Sequence, residues 1–537
     1  MKVMFDPILG RLRAVCNDAG GGSGGSGDAT VYGYVFPTTS ATSVQRVKLA
    51  SGALTDVETY DYTPCHYWRG CVRDLANKET AYYLNANNWD LKADGTSSVL
   101  TGADGDVVVH IPKFFSLRGV VKNGTHAGKK FFLCSRTRFT FEGETADYDP
   151  AFYAASDAGV AEDIYHYAYE AVLCDSTGAP KVTSRYATGG GTFATGDRAR
   201  SISGGHVWTN ADQGKMEQAF QNNGCHGANW QISAMLDLML VAYTGSRHAQ
   251  GTSLGAGMSY AKEWKYEYAR MTGRSNSLGN GSGKILANQS IRVTIEGNSE
   301  ASGSYAISTE SATFSDRVWT KGNYSIKASG TPGSSTTAWA VYDSSDTAIV
   351  TSTDAAGSPA QCAWTEGTTL TSDDAEIIWA FAAVSDTTLR TVAMRFLGIE
   401  NFYGNIYKFC FGIYRMPKDG VDGICFTTKA SEQATSVSAA DSGTQIYDNW
   451  QSFDWPAASG YIKDIDLRTC LPIETGGAAT TYYADYFSRW SAANDGVPRC
   501  VVRSGYAYAT TTSGPFFANA AYSVAYASAS IGGHGSA

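Results

Sequence analysis

The chain has 537 residues, with 42 Lys and Arg against 51 Asp and Glu, and its formal net charge is −9. Charged residues make up only 17% of it, below the roughly 25% of an ordinary soluble domain, whereas glycine (58) and tyrosine (32) are abundant. This composition argues against electrostatic nucleic-acid binding, which needs clustered Lys and Arg to neutralise phosphates. It also argues against disorder, because 43% of the residues are hydrophobic and can bury cores.

The first 27 residues contain a short segment and a linker. Residues 20–27 read GGGSGGSG, which is typical of a flexible tether, and they follow an apolar and basic segment at residues 1–19. A segment that short cannot fold alone, so we expect residues 1–19 to dock onto a partner, with a frayed terminus as the alternative. Asp6 and Arg11 interrupt its apolar stretch, unlike a secretory signal, and we expect synthesis in a cytoplasm without export.

Residues 28–116 are predicted to be rich in β-structure. Short β-branched and aromatic runs alternate there with turn residues, and the clearest strands are predicted at residues 31–36 and 107–111. The second of these ends at Pro112, as strands often do. Residues 130–141 alternate like a half-buried strand.

Two helices are predicted in the next part of the chain. Asn210 can cap a short helix that continues to about Phe220. The stronger prediction covers residues 229–243, where large apolar residues recur at spacings of three and four, namely Ile232, Met235, Leu236, Met239, Leu240 and Tyr243. This stripe indicates a helix packed in the core. The run is about half as long as the ~20 residues of a membrane-spanning helix, so no membrane insertion is expected.

The composition shifts between residues 285 and 396, where Ser, Thr, Ala and Asp separate short strand-like runs. These runs lie at residues 291–297, 324–330, 337–343, 347–352 and 376–384. Their spacing predicts an all-β sandwich inserted between 117–284 and 397–537, which would form one domain. Four tryptophans of the insert are candidate stacking platforms for sugars, with core packing as the favoured role: Trp319, Trp339, Trp364 and Trp379.

No motif for catalysis or metal binding stands out. The eleven cysteines include no C-x-x-C pair and no H-E-x-x-H motif occurs, so we expect buried, reduced thiols and neither metal nor cofactor. The run GNGSGK at 279–284 has Leu278 where a phosphate-binding loop requires glycine. The acid pairs Glu142/Glu144 and Asp373/Asp374 are expected to be solvated carboxylates.

The most unusual part is the C-terminal tract from residue 504 to 537, which contains no Asp, Glu, Lys or Arg. Tyr and Trp supply rigid contact area at low entropic cost, and Ser, Thr and Asn supply adaptable hydrogen bonds. A ligand-binding surface is therefore predicted from Trp490, Asn494, Tyr506, Tyr508, Thr510, Thr512, Phe516, Asn519, Tyr522, Tyr526 and Ser528. Trp490 and Phe516 would support or join it. The alternative is a low-complexity β-segment whose small residues only pack.

Several phrases together resemble a known family. They are FDPILGRLR, LTGADGDVVVHIPKFF, NWQISAMLDLMLVAYTGSRHAQGTSLGAG, GIENFYGNIYKFCFGI and the closing SGYAYATTTSGPFF and ASIGGHGSA. The chain resembles bacteriophage tail-fibre and other virion attachment proteins with a C-type lectin fold, including the variable proteins of diversity-generating retroelements. The resemblance covers about 1–19, 28–283 and 397–537. It leaves the insert unmatched.

The resemblance implies an α+β fold of C-type lectin type, shared with formylglycine-generating enzymes, in which a mixed sheet and two helices display a ligand surface near the C-terminus. In diversified relatives Tyr, Ser, Ala, Thr, Gly or Asn occupies the exposed variable positions, and residues 504–530 are rich in these types. The triplets that hold Ca²⁺ in sugar-binding relatives are missing, which implies a calcium-free surface. Cys470 and Cys500 match the cysteine pair of the enzymes by location only.

The function implied is that of a non-enzymatic receptor-binding protein of a phage tail fibre or virion. Residues 1–19 would attach it to other tail proteins, and the C-terminal surface would bind a protein or glycan of the bacterial surface. A homotrimer is expected by analogy, since several copies raise avidity. A polysaccharide-degrading tail enzyme and a purely structural decoration protein are the alternatives.

Overall fold

The computed structural model describes residues 30–60, 63–181, 191–252, 254, 272, 345, 394–433, 449–489, 497–506 and 509–537. It also describes the backbone of nine strands within residues 2–15 and 304–364. The predicted linker at 20–27 lies outside the described residues.

The described chain is mostly β with few helices, so the predicted α+β class is confirmed. The α-helices are α1 (Pro150–Ala154), α2 (Gln213–Asn222) and α3 (Trp230–Thr244). The strands before the predicted insert are β1 (Lys2–Asp6), β2 (Arg11–Val15), β3 (Val31–Val35), β4 (Gln45–Ala50), β5 (Ala53–Asp56), β6 (Arg69–Asp74), β7 (Glu79–Tyr83), β8 (Asp106–Pro112), β9 (Phe115–Val120), β10 (Lys130–Ser135), β11 (Thr140–Phe141), β12 (Glu144–Thr145), β13 (Asp147–Tyr148), β14 (Asp163–Tyr167), β15 (Val172–Cys174), β16 (Arg198–Arg200) and β17 (His226–Gly227).

The strands within the predicted insert are β18 (Ser304–Ala306), β19 (Thr313–Ser315), β20 (Val318–Lys321), β21 (Tyr324–Ser329), β22 (Ala338–Tyr342), β23 (Ala348–Ser352) and β24 (Gln361–Trp364). The strands after it are β25 (Arg395–Phe396), β26 (Ile399–Glu400), β27 (Tyr407–Arg415), β28 (Gly423–Phe426), β29 (Gln451–Ser452), β30 (Gly460–Ile465), β31 (Pro472–Thr475), β32 (Tyr486–Ser488), β33 (Arg499–Ser504), β34 (Gly514–Ser523), β35 (Ile531–Gly532) and β36 (Gly535–Ser536).

Two six-stranded sheets combine segments that are far apart in the chain. One has the order β13-β9-β10-β3-β4-β5, and the other has the order β17-β36-β14-β8-β6-β7. Each sheet joins strands from both sides of residue 116, where the sequence analysis divides 28–116 from 117–284. The second sheet also includes β36 from the C-terminus. The strand pairing therefore links these segments rather than separating residues 28–116 as a unit.

The C-terminal sheet has the order β29-β28-β27-β33-β34-β32-β30-β31, and β35 pairs with β27 outside this path. The pairs β27/β35 and β32/β34 are parallel, whereas β27/β33 and β33/β34 are antiparallel. The sheet is thus mixed. The uncharged C-terminal tract begins at the last residue of β33 and includes β34, and these two strands are central in the sheet.

The described strands of the insert form one antiparallel sheet with the order β18-β24-β23-β22-β21-β20-β19. Three of the predicted runs are strands β21, β22 and β23, and the runs at 291–297 and 376–384 lie outside the described residues. A sandwich needs a second sheet, which the described strands do not include. Trp319, Trp339 and Trp364 lie on β20, β22 and β24, and Trp379 lies outside the described residues.

Helix α3 confirms the stronger helix prediction to within a residue. The side chain of Asn229 caps it by accepting a hydrogen bond from the Gln231 amide at 2.9 Å. Gly245 ends it in the left-handed conformation, with φ of 72°. The predicted apolar stripe is buried except for the half-buried Tyr243, but so are Leu238 and Val241 between its members. The helix is therefore enclosed by the fold on nearly all sides, as a central helix must be.

Two predictions differ from the structure in detail. The helix expected from Asn210 begins later, at Gln213, because the Asp212 side chain accepts the hydrogen bond from the Lys215 amide at 2.9 Å. The half-buried strand expected over 130–141 is divided into β10 and β11, and β10 is buried on both faces. It lies between β9 and β3 at the middle of its sheet, with one apolar cluster on each side.

The thiols confirm the predicted chemistry wherever they are described. All nine described cysteines are free and buried. Cys470 and Cys500 do not form a pair, since Cys470 donates to the Ala234 carbonyl oxygen and Cys500 to the Gln213 amide oxygen. Burial raises the pKa of Cys470, so its thiol stays protonated. Among the described helices, none has the length and apolar character to cross a membrane.

A buried ion pair joins α3 to the C-terminal sheet. Asp237, the one charged residue of α3, accepts a hydrogen bond from the Arg503 guanidinium of β33, and both side chains are no more than 5% exposed. Arg503 also donates to the Pro515 carbonyl oxygen at 3.1 Å. Desolvation raises the pKa of Asp237 to about 7, although the nearby Arg503 charge opposes the shift.

Replacing one member of this pair should destabilise the fold strongly. In Arg503→Met the buried Asp237 carboxyl group loses its cation and its hydrogen-bond donor, and must either stay charged or take up a proton at pH 8. The expected loss in unfolding free energy is about 3–5 kcal/mol in urea titrations. The double variant Asp237→Leu/Arg503→Met leaves no buried charge and should recover most of that loss. A double variant as unstable as the single one would contradict this account.

Asp237 should also make stability depend on pH. The folded chain keeps its proton up to about pH 7, whereas the unfolded chain loses it near the ordinary value of 3.8. The folded state thus binds more protons within this window, so the contribution of Asp237 to stability falls as the pH rises through it. Asp237→Asn cannot titrate, and the difference in unfolding free energy between wild type and variant should change between pH 4 and 7. A constant difference from pH 4 to 8 would show that Asp237 keeps an ordinary pKa.

Candidate functional site

Five aromatic side chains form a continuous group at the C-terminal sheet, which we call the tyrosine cluster: Tyr407, Tyr506, Phe517, Tyr522 and Tyr526. The Tyr407 ring lies at its centre, with ring centroids 4.7 Å from Tyr506, 5.3 Å from Phe517 and 6.3 Å from Tyr522. Tyr522 and Tyr526 stack at 4.2 Å with an interplanar angle of 15°. Three of the predicted surface residues are thus brought together.

The cluster extends from the core to the surface. Phe517 is buried, Tyr407, Tyr506 and Tyr522 are half-buried, and Tyr526 is 37% exposed. Its strands lie side by side, because Lys408 of β27 pairs with Arg503 of β33, which in turn pairs with Ala518 of β34. Tyr506 and Tyr526 lie just beyond the ends of β33 and β34, so the sheet positions them, and the outer rings present both ring surface and hydroxyl groups.

Other predicted residues have different roles. Phe516 is fully buried and contacts Tyr483 at 4.8 Å between ring centroids, because it faces the opposite side of β34 from Phe517. Asn519 is also buried, and its side-chain oxygen accepts from the Ala521 amide at 2.9 Å. Both side chains are therefore buried in the described structure, and of the two roles predicted for Phe516 its position matches support of the surface. Phe516 supports the sheet from below.

The remaining predicted residues lie in turns or outside the described part. Thr512 donates its hydroxyl to the Ala509 carbonyl oxygen at 2.5 Å and so closes the short 3-10 turn Thr510–Thr512. Ser528 is half-buried, with its hydroxyl 2.9 Å from that of Ser530. The structure gives Thr510 only a backbone position. Three predicted residues lie outside the described residues, namely Trp490, Asn494 and Tyr508.

A buried polar network positions Tyr407. The sequence analysis predicted neither the network nor a role for Tyr407. The side-chain amides of Asn401 and Asn405 donate to Glu170, and the Lys408 ammonium lies 3.1 Å from the same carboxylate. Both asparagines adopt the left-handed backbone conformation, with φ of 49° and 62°, which Asn tolerates better than most residues. The network thus fixes the loop that ends at Tyr407. The loop belongs to the GIENFYGN phrase of the sequence. Neither the spacing nor the composition of the residues there predicts that Tyr407 contacts the distant C-terminal tract.

The turn that carries Tyr506 is also held from beneath. The Gln250 side-chain amide donates to the Ser513 carbonyl oxygen at 2.6 Å, and the buried Asp485 carboxylate accepts from the Phe516 amide at 2.8 Å. Gly514 lies against Asp485 so closely that an added Cβ would be 1.9 Å from a carboxylate oxygen. Only glycine fits there, which explains one of the glycines of the tract.

The C-terminal tract contributes no charged side chain to the tyrosine cluster. The tract's single histidine, His534, is buried, and desolvation together with the neighbouring Lys408 lowers its pKa well below the usual value, so it is uncharged near pH 7. Among the described residues no group of three or more His, Cys, Asp or Glu side chains could hold a metal ion. The arrangement can therefore bind by ring contact and hydrogen bonding, without charge.

Comparison with models of known protein families gave no match, and neither did comparison with curated proteins.

The loss in unfolding free energy on removal of a ring should increase with the burial of that ring. Phe517→Ala removes a buried ring and should lower the unfolding free energy by about 3–5 kcal/mol in urea titrations. Tyr522→Ala removes a half-exposed ring and should lose about 1 kcal/mol, mainly from its aromatic contacts. Equal losses would mean that Tyr522 is part of the core rather than of a surface.

Proposed function

We propose that the protein is a receptor-binding protein of a phage tail fibre or virion, and that it attaches to a bacterial surface ligand through the tyrosine cluster. The observation that carries the proposal is the graded exposure of neutral, stacked rings on a rigid sheet. Rigid tyrosines lose little entropy on binding, and their hydroxyls add hydrogen bonds to a protein or glycan. The family resemblance in the sequence supports the same function.

A C-type lectin-like fold is part of this proposal. Its support is the mixed C-terminal sheet, the two longer helices α2 and α3, and the position of the uncharged tract on β33 and β34. The homotrimer belongs to the proposal as well. Without charge, one cluster binds modestly, and several copies displayed together would bind with higher avidity.

The proposal includes a division of the tract into a binding part and a structural part. Residues 525–527 are exposed, whereas residues 531–536 of the closing IGGHGSA are buried and include β35 and β36. Replacements that diversify the surface can be tolerated in the first stretch. In the second they would disrupt the sheets. Sequences of sibling genes should therefore differ around residues 504–530 and agree at 531–537.

The attachment to the particle is proposed for residues 1–19. Strands β1 and β2 in this segment pair as an antiparallel hairpin, with Val3 opposite Ala14 and Phe5 opposite Leu12. An isolated two-stranded hairpin is marginally stable in water, so it gains from docking against another virion protein. The Gly/Ser linker would give the receptor-binding part reach.

Binding of fluorescently labelled protein to a panel of bacterial strains, read by flow cytometry, tests the function. Tyr522→Ala/Tyr526→Ala should lose at least tenfold in cell binding to any strain that the wild type labels, because it removes the exposed stacked pair. Tyr67→Ala is the matched control, since Tyr67 is 45% exposed and outside the cluster, and it should bind as the wild type does.

Unchanged cell binding by the double variant would overturn the proposed role of the cluster. Release of oligosaccharides from the capsular glycan of a labelled strain would instead support the alternative of a polysaccharide-degrading tail enzyme. If the wild type labels no strain and truncation after Arg503 leaves phage adsorption intact, a purely structural virion role follows.

A further inference from the structure

A second group of side chains with binding chemistry lies on the sheet that contains β6, β7, β8 and β14. We call it the arginine patch: Arg69, Arg73, Tyr83, His110 and Tyr165. The backbone pairing places Arg69 opposite His110 and His110 opposite Tyr165, so three neighbouring strands contribute to one face. The side chains are half-buried except for Arg69, which is exposed.

Each arginine lies over a tyrosine ring. The guanidinium carbon of Arg69 is 3.6 Å from the Tyr83 ring centroid, and that of Arg73 is 3.7 Å from the Tyr165 ring centroid. A guanidinium over a ring is held in place by the ring's π-electrons, while its N–H edge can still donate. The two tyrosine rings thus orient the two guanidinium groups. The ring faces beneath them are covered by the arginines.

His110 contacts both tyrosines of the patch and the neighbouring Asp163 carboxylate. Its ring stacks on Tyr165 at 4.9 Å with an interplanar angle of 10°, and its Nε2 lies 2.6 Å from the Asp163 carboxylate. Because a carboxylate only accepts, Nε2 carries the hydrogen, and Nδ1 of the neutral ring can accept from the Tyr83 hydroxyl at 3.2 Å. Desolvation raises the pKa of both tyrosines, so they are neutral hydroxyl groups rather than phenolate nucleophiles.

The two guanidinium groups carry the positive charge of the patch, and the nearby Asp163 carboxylate offsets part of it. Among the described residues no carboxylate lies within 4.0 Å of Arg69 or Arg73, and Asp163 is engaged by His110. Arg73 donates from Nη1 to the Thr80 hydroxyl at 2.9 Å, but its buried Nε has no hydrogen-bond partner in the described structure.

We infer that the arginine patch is a second ligand site, which binds the carboxylate group of an acidic saccharide. Two ring-supported guanidinium groups match an oxyanion, and the half-buried Tyr83 hydroxyl, which donates to His110, can still accept a hydrogen bond from a sugar hydroxyl. The patch shares no residue with the tyrosine cluster, so the inference holds whether or not that cluster binds a receptor.

Titration calorimetry with the full chain tests this site. The probes are a tetrasaccharide of alternating glucuronic acid and N-acetylglucosamine, the neutral tetramer of N-acetylglucosamine, and tetraglutamate. The acidic tetrasaccharide should bind, and Arg69→Gln/Arg73→Gln should weaken it at least tenfold, since two charge-assisted hydrogen-bond donors are lost. Tyr83→Phe, which keeps the ring under Arg69, should weaken it by a smaller factor.

Two controls separate this site from other effects. Arg138→Gln removes an exposed arginine outside the patch and should bind as the wild type does. Tyr522→Ala/Tyr526→Ala should also bind the acidic tetrasaccharide normally, so a failure of the tyrosine cluster is distinguishable from a failure of the patch. Thermal unfolding checks that each variant is folded.

The inference is overturned if the neutral tetramer binds as tightly as the acidic one, or if the wild type binds neither. Equal binding of tetraglutamate would also overturn it, because the site would then select anions without selecting a saccharide. Loss of binding in Arg138→Gln as large as in the patch variant would overturn it as well, since only net charge would matter.

Discussion

The fold depends on the burial of one ion pair between its central helix and its C-terminal sheet. Asp237 is the charged residue of an otherwise uncharged α3, and Arg503 lies on β33 between two long strands. Breaking a buried pair by moving one partner leaves an uncompensated polar group, so the contact favours the observed position of α3 against β33. The apolar packing around them supplies the stability, and the pair selects the arrangement.

The same principle operates beneath the tyrosine cluster. Glu170 accepts hydrogen bonds from Asn401 and Asn405 and forms an ion pair with Lys408. Asp485 accepts a backbone hydrogen bond from β34, the strand that carries Phe517. These carboxylates hold the loop before Tyr407 and the start of β34, which approach from distant parts of the chain. The charges of this region are therefore buried as structural supports. The surface above them is left neutral, and binding there depends on ring contact and hydroxyl groups.

Much of the fold could be predicted from local patterns. Asn229, the apolar spacing after it and Gly245 delimit α3 within one short stretch, because helix capping and hydrogen bonding act over a few residues. The strand at β8 and the buried thiols were predictable for similar reasons. The burial of both faces of β10 was not, since it depends on which strands become its neighbours. Likewise, residue types alone could not separate Phe517, under the surface cluster, from Phe516, in the core on the other face of the same strand.

By itself the sequence determined the many short strands, the position of α3 and the lack of charge in the C-terminal tract, since each follows from composition or short-range periodicity. Only the tertiary structure decided which aromatic residues meet. Tyr407 joins Tyr506 and Tyr522 because β27, β33 and β34 are neighbours, and Arg69 joins Tyr83 and His110 because β6 lies between β7 and β8. Strand order is set by long-range packing and hydrogen bonding, and the local pattern along one strand does not specify its partners.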